Sequence, residues 1–396
     1  MGIGMMNNPF VESGASAPAG LPRICMPTWR NFRKNAYRCG LYEAQDVLAE
    51  TDDVELIPIE RTWGAWLDEY WLRTPLYHDV FGKLIFANPG LKKVRLSKDY
   101  ELFIAVCATF WDLPYINAIE HWRDHCKISV CWLDELWVSD ISDYKYWLPA
   151  LRQFDYVFVG YRGTASPLSH AANRTCFWLP GGVDALRFGP SSDPADRAVD
   201  VYSIGRRYDS IHRQLLTAAE RGEVFYVYDS HVGGGMTEVH DYRQHRELFA
   251  NIAKRSRYFV VAAAKMDQPD YRQGQVEVGY RYYEGAAAGA VMIGDYPDCD
   301  AYRELTGWPD AVIQIQPDGS DTMDVLKQLG SDPERLAAIS RRNAKEALLR
   351  HDWYHRWNEM FRIVGIDTSP RQAARERRLK HLVELLATSD QRLKVT

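Results

Sequence analysis

The chain has 396 residues, 46% of them hydrophobic, and a mean hydropathy of −0.37, which is enough for two domains with full cores. It contains no uninterrupted apolar run of the ~18 residues a membrane helix needs, and a net charge of −5 with a pI near 6.1 argues against a general nucleic-acid binder. Seven cysteines (25, 39, 107, 126, 131, 176 and 299) are scattered, odd in number and without C-x-x-C spacing, which fits a reducing cytoplasm better than a disulfide framework or a zinc site.

Residues 1–20, rich in Gly, Ser, Ala, Pro and Asn, read as a disordered leader. They show neither the charged and apolar regions of a secretion signal nor, with Met6 where Ser or Thr is required, a myristoylation site. Residues 21–185 then alternate strand and helix patterns. Strands are expected at 23–26, 54–59, 101–108, 127–132 and 156–161, and helices at 31–50, 114–125, 143–153 and 164–173. Such βα repetition implies a parallel sheet covered on both faces. Residues 63–99 are less regular and read as an insertion shaping a cleft. Trp29, Trp111, Trp132 and Trp137 fall at strand ends, where sugars could stack on them, although for most the ordinary reading is core. Asp134 and Glu135 follow a strand at the expected cleft, placed for a site role or for capping the next helix.

The stretch Pro180-Gly181-Gly182-Val183-Asp184 ends a strand in a glycine turn, and residues 190–197 are polar, which marks a domain boundary. A second βα series follows over 186–350, with strands at 200–205, 224–228, 257–263, 290–294 and 311–315. Gly205-Arg206-Arg207 sits directly after its first strand. Lys265 ends the third and opens a polar loop, in which Arg272, Gln273 and Gln275 are further candidates. His231 to Gly235 is a glycine run after a strand end, weak evidence for a backbone that approaches a phosphate. In the stretch from Arg281 to Gly294, a helix runs into a buried strand through six small residues, Gly285 to Ala290. Each glycine costs a helix interior roughly 1 kcal/mol, so close packing on a sheet must demand them. Glu284 precedes the small residues with Arg281 on the same face, and a lone acid beyond the carboxyl ends of parallel strands can accept hydrogen bonds from a ribose diol.

These motifs resemble those of retaining GT-B glycosyltransferases, the glycosyl transferases group 1 or family 4 type. The family carries a helix Glu followed by small residues, a G-R segment, and a P-N-G-V-D-x-x-x-F-x-P junction. That junction is matched here by Pro180, Gly182, Val183, Asp184, Phe188 and Pro190, with Gly181 in place of Asn. The resemblance covers most of residues 176–365. It implies two Rossmann-like domains facing each other across a cleft, with residues 351–366 crossing back to the first. It also implies transfer of a sugar from a UDP- or GDP-sugar, a co-substrate rather than a cofactor, with retention and without a metal. Arg206, Asp134 and Glu135 are then the catalytic candidates. Glu284 would hold the ribose, with Gly205, Arg207, Lys265, Tyr280 and Arg281 completing the donor set. The usual second phosphate-binding Lys is replaced by Ser210 to Arg213, leaving Arg207, Arg213 or Lys265 as helper. Position 276, where a second acid is usual, is Val, and the neighbouring Glu277 is left as a solvated acid.

Asp298-Cys299-Asp300 is a D-x-D, the metal signature of the other large glycosyltransferase fold, but its position after the small-residue helix fits that fold poorly. The expected acceptor is a glycan, a lipid-linked or a small-molecule hydroxyl, not a nucleic acid. Residues 367–396 form an amphipathic tail helix with a Leu379, Leu382, Val383, Leu386 stripe ringed by Arg375, Arg377, Arg378 and Lys380. Docking on its own domain or on a second subunit is the first expectation, and peripheral contact with the inner membrane face from the cytoplasm the second. Two other readings remain. One is a different GT-B-fold enzyme, an inverting transferase or a nucleotide-sugar epimerase; the other is a catalytically silent relative that binds glycans or partners.

Overall fold

The structure, a computed structural model, describes residues 22–63, 85–190, 196–230 and 237–393. The leader, most of the 63–99 region and the whole His231 to Gly235 run therefore lie outside the described residues. The first half builds a six-stranded parallel sheet from β1 (Ile24–Thr28), β2 (Val54–Pro58), β4 (Tyr100–Cys107), β6 (Cys126–Leu133), β7 (Tyr156–Val159) and β8 (Cys176–Trp178), in the order β2-β1-β4-β6-β7-β8. A small two-stranded parallel ladder joins β3 (Val94–Arg95) to β5 (Ile119–Glu120) beside it. The second half builds a five-stranded parallel sheet from β9 (Val199–Ser203), β10 (Tyr226–Tyr228), β11 (Ser256–Val261), β12 (Val291–Gly294) and β13 (Val312–Gln314), in the order β10-β9-β11-β12-β13. Among the described residues no helix is long and apolar enough to cross a membrane.

Continuous apolar strands are what a sheet buried on both faces requires. In β4, Leu102, Ile104 and Val106 point into one core and Phe103, Ala105 and Cys107 into the other. The first of these cores is closed by the helix Cys39–Thr51 and by Trp353, Trp357, Met360 and Phe361 of the helix Trp353–Val364. The chain thus passes between the halves twice, and the two passages lie side by side. Val183 N–H donates to the His351 carbonyl at 2.9 Å and Trp353 N–H to the Val183 carbonyl at 3.1 Å.

Several local expectations are corrected. The helix expected from residue 31 begins at Cys39 after a short turn at Ala36–Arg38, because Asn35 is extended and bridged to Glu238 of the other half; Arg38 points inward to a buried bidentate pair with Asp112 (2.7 and 2.8 Å). The helix expected over 114–125 is two 3-10 segments, Phe110–Ala118 and Trp122–His125, interrupted by β5; Pro114 removes a donor, and His121 adopts a left-handed φ of 54°. The helical region expected at 143 starts at Val138, where the Asp140 carboxylate accepts from Trp137 N–H at 2.9 Å. In the tail helix Pro370–Leu393, Leu379 is buried and Leu382, Val383 and Leu386 pack on the core of the second half. Arg375, read as one of the basic residues ringing that stripe, is instead buried against Asp352 (2.8 Å) and Asp184 (2.6 Å). The tail is docked on its own chain.

Candidate active site

The small residues of the Glu284 helix, Tyr280–Ala287, do what their sequence demands. A methyl added at Gly285 would stand 2.8 Å from the Phe259 ring and 3.1 Å from Met292. The helix therefore rests directly on β11 and β12, and its start lies at the carboxyl ends of the second sheet. There, β9 turns at Gly205, which has a left-handed φ of +78° and whose N–H donates to Asp229 Oδ2 at 3.0 Å. The Arg281 guanidinium lies 3.4 Å from where a Gly205 Cβ would be, and its Nε donates to the Ile204 carbonyl at 3.0 Å. Helix and turn are thus one unit.

The cations of the donor set separate into distinct roles. Arg206 Nε sits 2.9 Å from Asp267 but is not aligned as a donor to it, so the contact is one of charge. Arg207 is committed to Asp229, through its carboxylate at 2.5 Å and its carbonyl at 2.7 Å. Arg213 lies exposed on the helix Asp209–Glu220, and the geometry does not bring it to the turn. Lys265, at a left-handed φ of 47°, reaches across to Glu135 of the first half at 2.7 Å, with its ammonium 4.1 Å from the Tyr271 ring centre.

Glu284 is buried. One of its oxygens pairs with Arg246 and the other with Arg281. Burial alone would raise its carboxyl, but the charges of Arg281 and Arg246 outweigh that and hold it below the ordinary range.

Across the gap stands the carboxyl end of β6. Asp134 accepts from the Tyr280 hydroxyl at 2.6 Å. Burial lifts its carboxyl to about 7, against the opposing hydrogen bond from Tyr280 and with a further push from the Glu135 charge. Glu277, which the sequence left as a solvated acid, is instead buried. It accepts from Gly163 N–H of the first half (2.9 Å) and from Gln275 Nε2 (2.7 Å), because the 265–280 segment of the second half is pressed onto the first. Gln275 also accepts from Val138 N–H at 2.9 Å. The carboxyl ends of the two sheets therefore meet at Asp134, Glu135, Lys265 and Tyr280, where open α/β folds bind ligands.

Residues 206–362 match a family model described as glycosyl transferase-like. No curated protein matches the sequence. Among solved structures, an alpha-glucosyltransferase in complex with UDP and a 13-mer DNA containing an HMU base aligns over 87% of this chain and 100% of its own, at 12% identity and a TM-score of 0.51. The same kind of enzyme in complex with UDP gives 87% and 99% coverage, 12% identity and a TM-score of 0.50. Anabaena HepE in complex with UDP and glucose covers 86% and 99%, at 13% identity and a TM-score of 0.48. The chain has the GT-B fold, with a glycosyl transferase-like second domain.

In this GT-B protein the matched segment opens at Arg206, includes Glu284 and runs through most of the helix that returns to the first domain. The Asn that the resemblance expects at position 181 is excluded here, since a Cβ on Gly181 would lie 2.6 Å from the Tyr280 ring. Asp298 and Asp300 are exposed, and both pair with Arg303. Trp29, Trp132 and Trp137 are buried core, and Trp111 is half-buried. Sequence reasoning missed Arg246 and Glu43. Nothing local to either residue announces that they meet 203 positions apart.

Proposed function

We propose that this GT-B glycosyltransferase moves a sugar from a UDP- or GDP-sugar to the hydroxyl of a glycan, a lipid-linked or a small-molecule acceptor, with retention at the anomeric carbon. The observation that carries the reading is the meeting of the two sheets' carboxyl ends. The Gly205-Arg206 turn and the Glu284 helix lie on one side, and Asp134 and Glu135 on the other. In this reading Arg206 faces the diphosphate, and Lys265 and Arg281 add positive charge, so that no metal is needed. Arg207 holds the end of β10 through Asp229 and shapes the turn. Glu284 accepts from the ribose, while Asp134 or Glu135 orients the donor sugar or the acceptor.

In the transfer, the bond from the anomeric carbon to the diphosphate oxygen breaks and one to the acceptor oxygen forms on the same face. The acceptor proton passes to the departing phosphate. Preorganised cations aimed at that phosphate are the main lever, each worth about 3 kcal/mol of barrier. The UDP held by the alpha-glucosyltransferase of like fold makes uracil the first base to try. The net charge of −5 favours a non-nucleic-acid acceptor. The chain's apolar balance and free cysteines suit a cytoplasmic enzyme.

A thermal-shift panel of nucleotides and nucleotide sugars tests the donor. A true ligand at a hundred times its Kd stabilises by about 2.7 kcal/mol, so one base should stand apart from the rest. NMR of the product then reads the anomeric configuration. No response to any nucleotide sinks the donor reading, and an inverted product sinks retention alone.

A further inference from the structure

Four buried or half-buried charges run in single file from the passage between the domains to the phosphate-facing turn. Glu43, on the helix Cys39–Thr51 of the first domain, accepts from Asp184 N–H (2.9 Å) and from the Trp353 indole (3.1 Å), one group from each of the two interdomain passages. The same carboxylate is gripped by Arg246 of the second domain at 2.8 and 2.9 Å. Arg246 lies against the Phe188 and Phe249 rings (4.8 and 5.3 Å) and passes its remaining nitrogen to Glu284. Glu284 binds Arg281, and Arg281 holds the Ile204 carbonyl beside Gly205. Glu43, Arg246 and Glu284 are 1%, 3% and 1% exposed.

Charges this deeply buried are tolerable only while each has its partner, and removing one leaves the next uncompensated. Glu284 is therefore placed from both ends, by the turn through Arg281 and by the first domain through Glu43 and Arg246. We propose that Glu43 and Arg246 are positioning residues for the donor site, fixing the Glu284 carboxylate and the Gly205-Arg206 turn in register with the interdomain passage. This rests on the reading of Glu284 and Arg206 as donor ligands. Neither Glu43 nor Arg246 needs to touch the donor. Its affinity depends on them because the relative placement of the domains reaches the donor-binding turn through this chain of charges. Linkage is reciprocal, so donor binding tightens the passage in turn.

The experiment titrates UDP, by calorimetry on the folded protein, into wild type, Glu43→Gln and Arg246→Lys, with Arg123→Gln as control. The control breaks a pair with Asp155 that lies wholly within the first domain, away from the Glu43 helix. An effect on folding alone lowers the active fraction in all three variants and leaves Kd unchanged. Positioning raises Kd at least threefold in Glu43→Gln and Arg246→Lys while the control stays at the wild-type value. A change below threefold in both test variants, or an equal change in the control, overturns the proposal. If neither test variant folds, amide exchange at Asp184 in wild type decides. Slowing by UDP supports the coupling, and an unchanged rate overturns it. Failure of wild type to bind any nucleotide sinks the donor reading itself, a result separate from all of these.

Discussion

Asp134 offers the sharpest test of the cleft. Its carboxyl is lifted from 3.8 to about 7, with burial as the first cause. A carboxyl raised in the folded state holds its proton more tightly there. Its stabilising contribution is therefore complete below about pH 4 and is lost as pH rises to about 7. Three pKa units at about 1.4 kcal/mol each put the loss on the order of 4 kcal/mol. An unfolding entropy of roughly 2.1 cal/mol/K per residue, taken over 396 residues, turns that into about 5 °C of Tm. Asp134→Asn keeps an acceptor for the Tyr280 hydroxyl and abolishes the titration. With Tm followed by circular dichroism from pH 4 to 8, the wild-type value minus the variant value should fall by about 5 °C, most of it before pH 7. Titrating groups that do not act on Asp134 are common to both proteins and cancel. A difference that stays level within about 1 °C would refute the buried, proton-holding Asp134.

Arg206→Ala should lower kcat by about a hundredfold, the rate equivalent of ~3 kcal/mol, with a smaller change in KM; steady-state kinetics with the donor found by the thermal screen checks it. Glu284→Gln leaves Arg246 and Arg281 facing a neutral group in a buried site. It should cost about 3–5 kcal/mol, read as a lower denaturant midpoint together with weaker UDP binding. Gly181→Asn, which restores the residue expected from the family, should destabilise by about 1–3 kcal/mol through overpacking on Tyr280. The double variant with Tyr280→Ala should recover part of that loss in a double-mutant cycle. Gly285→Ala should destabilise by a similar 1–3 kcal/mol, because its methyl would press on the Phe259 ring and on Met292; the denaturant midpoint reports it.

The architecture was legible because its signals are local. Buried parallel strands need apolar runs, and a helix laid on a sheet needs small residues, so β4, β6 and the Gly285 to Ala290 segment could be read without a partner in view. The start of the Cys39–Thr51 helix was not legible, since Lys34 to Ala36 are held in a bridge to Thr237 and Val239 of the other half. Arg246, Arg375 and Glu277 look like solvent-facing residues in sequence, and each is buried by a carboxylate or an amide from a distant part of the chain. The exclusion of Asn at 181 by the Tyr280 ring, 99 positions on, is likewise visible only in three dimensions. Lys265 is a donor-pocket candidate in sequence, and its reach to Glu135 depends on the opposite domain.

Trp353, Trp357, Met360 and Phe361 come from near the end of the chain yet roof one face of the sheet made first. During synthesis that face has only the Cys39–Thr51 helix as cover until residues 353–361 have been made, so the amino-terminal half emerges from the ribosome with a sticky side. Chaperone demand in the cell, and insolubility of any fragment cut short before residue 350, are the expected costs of an arrangement in which the last helices complete the first domain.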